Sequence, residues 1–349
     1  MTYNCKLFRL ATCIVLILQF SLGAADRKAA LHAQTPSRES TTAMTVGTPV
    51  VGFVAQSNPP ELRPIYGLPG AALLGVPLAL PAVVGKVNMA PAQDYALVER
   101  NDGAAISVLP VDIEGTGLAL EIAGAPTHAD RIAYSPDGSK ALLYGSEPRK
   151  LQLVAGLPSS PQIAAEFDLP WLQAPLSALA VSDDGAAVLL GSSDEADGAI
   201  ISLMPDGAPR WLTRARNPVA IQFFRHKHDA MASDLFMNQV LLITDVAGSP
   251  ATVTLANETQ GISRPSSLAV SDDGKRVFVL NSGDRSIVAL DPVSGSLLPV
   301  RCAFAPSAIM HIRQKSTLLV LDPQSDVPWL LSDDIEPRLT FVPDADKER

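Results

Sequence analysis

Disulfides have little part in this chain. It has 349 residues and three cysteines, and two of these, Cys5 and Cys13, lie within the first 25 positions. Without that segment only Cys302 remains, so no internal disulfide can form and core burial must hold the chain together. Val300 and Phe304 flank Cys302, which fits a buried strand thiol. Aromatic residues are also scarce, at 5%, so Ala, Leu and Val have to fill the core. There is no Gly-x-Gly-x-x-Gly, no Walker loop, no Cys-x-x-Cys, no haem-attachment motif and no Gly-x-Ser-x-Gly elbow. The expectation is therefore no cofactor, and no hydrolase nucleophile is visible. No stretch carries a convincing long helix. Basic residues are outnumbered as well: the net charge is −9. An acidic chain lacks the basic stripes that give nucleic-acid affinity, so no nucleic-acid partner is expected.

The first 25 residues follow the pattern of a signal peptide. Lys6 and Arg9 make a positive start, Ile14 to Phe20 an apolar core, and Gly23-Ala24-Ala25 a small-residue cleavage site. The core is too short for a stable membrane span. An uncleaved N-terminal anchor is the alternative. Cys13 precedes the apolar core rather than following it, which argues against a lipid anchor at that residue. Cleavage removes two positive charges and no negative ones, moving the net charge from −9 to −11. The expected location is periplasmic or extracellular, with no membrane span in the mature chain, and a monomer is expected. Residues 26–48 are rich in Ala, Thr, Ser, Gln and Pro without apolar periodicity, and read as a disordered leader. Residues 49–349 show no composition shift and read as one domain.

That domain is organised around Pro265 to Val300. Leu268 to Val270, Val277 to Leu280, Ile287 to Leu290 and Leu297 to Val300 are four short strands. The turns between them are Ser271-Asp272-Asp273-Gly274, Asn281-Ser282-Gly283-Asp284 and Asp291-Pro292 with Ser294-Gly295. Asp bonds nearby backbone N–H groups, and Gly accepts positive φ. Turns at this spacing make a meander of antiparallel strands, not a βαβ unit. The strands are apolar at almost every position, so both faces must be covered.

Imperfect copies of this unit recur. Aligned on the residue equivalent to Ser271, they start their turns at Ala90, Ser135, Ser182, Phe224, Ser271 and Ile312, spaced 41–47 residues apart. That period belongs to four-stranded propeller blades. The tetrad is kept at Ser135-Pro136-Asp137-Gly138 and Ser182-Asp183-Asp184-Gly185. It is eroded at Ala90-Pro91-Ala92-Gln93, Phe224-Arg225-His226-Lys227 and Ile312-Arg313-Gln314-Lys315. Val50 to Val54 and Leu62 to Tyr66 read as the third and fourth strands of a further, partial copy. The expected fold is all-β, a propeller of four-stranded antiparallel blades, seven in number with six as the alternative. Free strand edges favour closing the ring, by strands from both chain ends with Leu339 to Val342 near Val50 to Val54.

Arg276 to Asp284, followed by Ile287 to Asp291, resembles the YVTN-type β-propeller repeat. Where that repeat has Tyr-Val-Thr-Asn, this chain has Phe278-Val279-Leu280-Asn281, matching at two of four positions. The resemblance implies a propeller. It implies no catalytic residues, because the family has none in common.

The chemistry-bearing residues are sparse. His226-Lys227-His228-Asp229 is the one local group of metal-type ligands, but no Cys or third His lies near it in sequence, and a structural zinc site needs four ligands. No metal is expected there. The pairs Asp183-Asp184 and Asp272-Asp273 and the loop Asp194-Glu195-Ala196-Asp197 read as turn chemistry, since the spacing of an EF-hand is missing. His128 and Arg131, Arg216 and Arg264 fall at or just before innermost strands, and His311 lies within one. Together these five are the candidate ligand site at the mouth of the central channel, suited to an anionic ligand. Ordinary loop solvation is the competing reading for the arginines, and an ordinary polar or half-buried strand-end residue for the histidines.

The functional expectation is an exported, non-enzymatic propeller that binds a protein or a small anionic ligand on one face. Two alternatives stand beside it. By fold analogy, the chain is a lactonase-like hydrolase in which two or more of His128, Asp130, Arg131, Arg264 and His311 converge at the channel mouth. Otherwise the propeller is a structural part of the cell surface.

Overall fold

The structure, a computed structural model, describes residues 48–344 except 58, 325–326 and 334–335. The expected signal peptide, and all but the last residue of the expected leader, lie outside the described residues.

The chain forms seven blades of antiparallel strands in a β-propeller, with almost no helix. Blades 3 to 7 are four-stranded sheets whose strands follow one another in sequence order. Their first strands are Arg131–Tyr134, Leu176–Val181, Pro218–Phe223, Pro265–Val270 and Ala308–His311. In blade 2, which begins with Val84–Met89, the outer position is divided between Gly115–Thr116 and Leu120–Glu121. Blade 1 consists of Val50–Ser57, Pro60–Leu68 and Ala71–Leu74.

Each first strand is the innermost of its blade and borders the central channel. In blades 2 to 7 the first strand ends immediately before one of the six aligned turn residues, so the repeat register read from the sequence holds in every one of them. The blade count is seven and not six.

The second and third strands are sandwiched between neighbouring blades, which explains their unbroken apolar sequence. Val277–Asn281, Ser286–Leu290, Val188–Ser192 and Ala199–Leu203 are buried at every residue. The outer strand Gln162–Asp168 instead alternates exposed and partly buried positions. Among the described residues the apolar core divides into seven clusters, one at each blade junction. One of them joins the two ends of the chain. Val51, Val54, Ile65 and Leu74 of blade 1 pack on Ile312, Leu319 and Leu330 of blade 7.

The N-terminal segment differs from its expected place. Val50–Ser57 is the innermost strand of blade 1, lying beside Val84–Met89, rather than a third strand. Its side chains account for this: Val51 packs toward blade 7 and Phe53 toward blade 2, and both are buried. The last strand of the chain, Arg338–Phe341, belongs to blade 7. The chain then runs on to the outer side of blade 1, where Leu74 bridges Asp344 and its N–H donates to the Pro343 carbonyl at 2.9 Å. The C-terminal segment thus bridges Leu74 by its backbone, while Val342 packs in the same core cluster as Val51 and Val54. Arg63 holds Asp344 by two parallel hydrogen bonds of 2.8 and 3.0 Å, the geometry in which guanidinium and carboxylate pair best.

Candidate functional site

Every innermost strand runs in the same sense, so the ring has two distinct faces. One carries the turns that follow the innermost strands and is called the turn face here. In blades 3, 4 and 6 these turns share one design. Ser135, Ser182 and Ser271 each donate a hydroxyl to the Asp two residues on, and each accepts the N–H five residues on. The Gly that closes each turn has φ of 76°, 78° or 70°, a conformation glycine adopts without steric cost. Blade 5 turns differently. Its left-handed residue is His226, at φ 56°, one position earlier than the glycine of its sister turns.

Side chains on this face tie blades to one another. Asp183 is buried and reaches in both directions: its carboxylate accepts the Asp137 N–H of blade 3 at 2.8 Å and the His226 N–H of blade 5 at 2.7 Å. Tyr134 of blade 3 donates its hydroxyl to the Asn88 carbonyl of blade 2 at 2.6 Å and accepts the Leu97 N–H. The Tyr95 hydroxyl of blade 2 donates to the Gly138 carbonyl of blade 3. Burial pushes both tyrosine pKa values up, so neither phenol ionises in the ordinary range.

The central channel has two halves. Toward the turn face is a cavity of about 310 Å³, lined by apolar side chains such as Met89, Leu179, Leu268 and Met310, with Tyr134, Gln222 and His311 as its polar side chains. The Gln222 amide nitrogen lies 3.3 Å from His311 Nε2, and its carbonyl accepts the Val270 N–H at 2.9 Å. His311 Nδ1 lies 3.7 Å from Asp272. Burial lowers the His311 pKa, against the attraction of Asp272, and favours the neutral ring. Toward the opposite face is a more polar cavity of about 320 Å³, whose walls include Lys86, Asn88, Asp130, Arg131 and Ser177. Ile132, Ala133, Leu179 and Ile221 line both cavities and form the waist between them. The Asn88 side-chain nitrogen is buried with no hydrogen-bond partner among the described residues, an arrangement that costs about 1–3 kcal/mol unless something accepts from it.

The five residues expected at one channel mouth do not meet there. Arg131, Arg216 and Arg264 are exposed at the starts of their blades, on the face opposite the turns. Only Arg131 lines the channel, with its Nε donating to the Leu176 carbonyl at 2.8 Å. His128, on the same side, is exposed and turned to Glu99 at 2.7 Å and Asp130 at 3.5 Å. The Glu99 hydrogen bond, supported by Asp130, raises its pKa. His311 lies at the other end of the channel, at the last position of its strand. Sequence reasoning missed Lys86, Asn88 and Gln222. Their signal was a polar residue inside an otherwise apolar innermost strand.

Across the turn face lies a cleft of about 440 Å³ lined by Asp137, Asp183, Asp184, His226, Lys227 and His228. Ligand atoms of Asp137, Asp183 and His226 all lie within 4.8 Å of one another. His226 Nδ1 is 3.3 Å from Asp183, and His228 Nε2 is 2.8 Å from Asp184. Burial raises the Asp183 pKa and the nearby Asp137 charge adds to this, although both N–H donors work the other way. Burial also opposes ionisation of Asp184, but Ser182, the Ala186 N–H and His228 outweigh it and hold its pKa at about 2.

Seven blades around a channel define the class of protein: a β-propeller. No protein-family model matches the sequence, so the YVTN resemblance stands as a likeness of repeat, and no curated protein matches either. Solved propellers do match in structure. Hydrazine synthase of Kuenenia stuttgartiensis superposes with a TM-score of 0.59 at 12% identity, covering 84% of this chain and 99% of that one. A candidate 6-phosphogluconolactonase of Bacteroides uniformis gives 0.56 at 16% identity, covering 84% and 97%. A protein of unknown function from Desulfotomaculum acetoxidans gives 0.52 at 17%, covering 71% and 78%. At such identities the likeness is one of fold alone.

Proposed function

We propose that this chain is an exported, non-enzymatic binding propeller whose ligand occupies the central channel. The observation that carries this reading is the division of the channel into an apolar half and a polar half joined at one waist. Small-molecule sites are concave, mostly apolar and furnished with a few polar groups, at volumes of roughly 300–1,000 Å³. Such a channel suits a small amphipathic molecule. Its apolar body fills the half toward the turns, where neutral His311 and Gln222 offer hydrogen bonds. Its acidic or polar head lies toward Lys86 and Arg131, with Asn88 donating to an acceptor. The N-terminal segment of signal-peptide pattern supports export.

The test is native mass spectrometry of the protein purified from its own cells. A bound small molecule is expected in the unaltered protein. It should be absent from Ala133→Leu, in which added carbons narrow the waist. If both proteins carry the same adduct, or neither carries one after gentle isolation, the channel is not the ligand site.

A hydrolase reading has one observation in its favour: His311, neutral and 3.7 Å from Asp272, has the form of a general base. Turnover of lactones at enzyme-like rates, abolished in His311→Gln, would establish it in place of the binding reading.

A further inference from the structure

The cleft on the turn face is separate from the channel and takes no part in the reading above. We propose that it is a binding site for one divalent transition-metal ion of the Zn²⁺ class, held by Asp137, Asp183 and His226. The three residues come from the turns of three successive blades, and their ligand atoms already lie within 4.8 Å of one another. Zinc–ligand bonds of about 2.0–2.2 Å in a tetrahedron place ligand atoms roughly 3.3–3.6 Å apart. Rotation of the side chains closes the remaining gap, and the exposed His226 ring is the easiest to move. Two carboxylates and one imidazole leave coordination positions for water, the arrangement of an open site rather than a closed structural one.

The supporting shell is in place. Ser135 and Ser139 hold the Asp137 carboxylate through hydroxyl and N–H donors at 2.7–3.0 Å. Each Asp183 oxygen receives one backbone N–H. Hydrogen bonds of this kind fix ligating carboxylates in metal sites, and each oxygen keeps a second lone pair for an ion. Turn chemistry accounts for both aspartates but not for the imidazole. The altered turn of blade 5 provides that: the His226 N–H is fastened to the same Asp183 oxygen from which its Nδ1 lies 3.3 Å away. Lys227 also lines the cleft, and its ammonium lies over the Phe224 ring, 5.6 Å from the centroid, which gives the charge a partner outside the triad. His228 is engaged with Asp184.

The experiment is a Zn²⁺ titration of the full chain against a chelating dye, read as stoichiometry and dissociation constant. Cys302→Ser is the background, so that a thiol cannot contribute. One equivalent is expected to bind. His226→Asn tolerates the left-handed backbone but lacks the ring, and should weaken binding at least tenfold. Asp137→Asn should do the same, while His228→Ala should change it less than twofold. A thermal melt confirms that each variant is folded before titration. The proposal is overturned if no saturable binding occurs below millimolar Zn²⁺, if His226→Asn binds as the parent does, or if His228→Ala loses as much as His226→Asn.

Discussion

Gln93 grips Phe53 by both backbone groups. Its Oε1 accepts the Phe53 N–H at 2.8 Å and its Nε2 donates to the Phe53 carbonyl at 2.9 Å. The same Oε1 lies 3.3 Å from the Arg313 N–H. One side chain of blade 2, with no solvent exposure, therefore touches the innermost strand of blade 1 and the turn of blade 7. It sits where the two ends of the propeller come together.

That contact predicts the effect of two substitutions. Gln93→Leu removes the partners of two buried backbone groups, each of which costs about 1–3 kcal/mol when left unpaired. A loss of about 2–5 kcal/mol is expected, seen as a large drop in Tm. Gly52→Ala should also destabilise, because an added Cβ would lie 2.6 Å from Gln93 Oε1 and 2.8 Å from Ile312 Cβ. Denaturant melts of the two variants check this. Wild-type stability in Gln93→Leu would mean that Gln93 does not fasten the junction.

Blade 6 predicts a ranking of three substitutions. Val279 has no solvent exposure and lies in the cluster between blades 5 and 6. Val279→Asp buries an unpaired carboxylate and should cost several kcal/mol. Gly274 stands at φ 70°, with Phe224 Cδ1 3.3 Å from any added Cβ, and Gly274→Val should cost about 1–3 kcal/mol. Lys227→Ala should stay within about 0.5 kcal/mol as an exposed loop change. Thermal melts give the order directly. Collapse of Lys227→Ala beside an unaffected Val279→Asp would refute the register.

His311 predicts a pH dependence. Burial depresses its pKa in the folded chain below the ordinary value of 6.5, so at mildly acidic pH the unfolded chain takes up a proton that the folded chain refuses. This contribution is full above about pH 6.5 and is lost as pH falls from there toward the folded value. His128 runs in the opposite sense: its pKa is raised, and its contribution fades as pH rises through the folded value. His128 is exposed, so that effect is small. Melts of the parent and His311→Gln between about pH 7.5 and 5 separate the two. The parent should lose stability on acidification more steeply than the variant; equal slopes would show that His311 titrates normally.

Much of this architecture was legible because each blade repeats the same physical problem. Strands covered on both faces read as continuous apolar runs, and Ser-x-Asp-Gly marks the turn that follows the innermost strand in blades 3, 4 and 6, so Ser135, Ser182 and Ser271 fixed the register. Blade 1 was misread because its own strands lack that turn and its outer strand is bridged at Leu74 by Asp344, about 270 residues on, a pairing that local pattern does not encode. The site was less legible still. Arg131, Arg216 and Arg264 do share a face, but His311 is at the end of its strand where they are at the starts of theirs. Asp137, Asp184 and His226 occupy the same position in three successive copies, so the period alone placed them on one rim. The reach of Asp183 across to both neighbouring turns could not be read from it.

Saturation-transfer NMR with a library of small carboxylates bearing apolar tails tests most directly whether the channel binds a small amphipathic ligand. Members of the library should receive saturation from the unaltered protein. They should lose the signal in Ala133→Leu and be weakened in Asn88→Ala and Lys86→Ala while the fold is retained. Signals that survive in all three variants, or a library with no binders at all, would contradict binding in the channel.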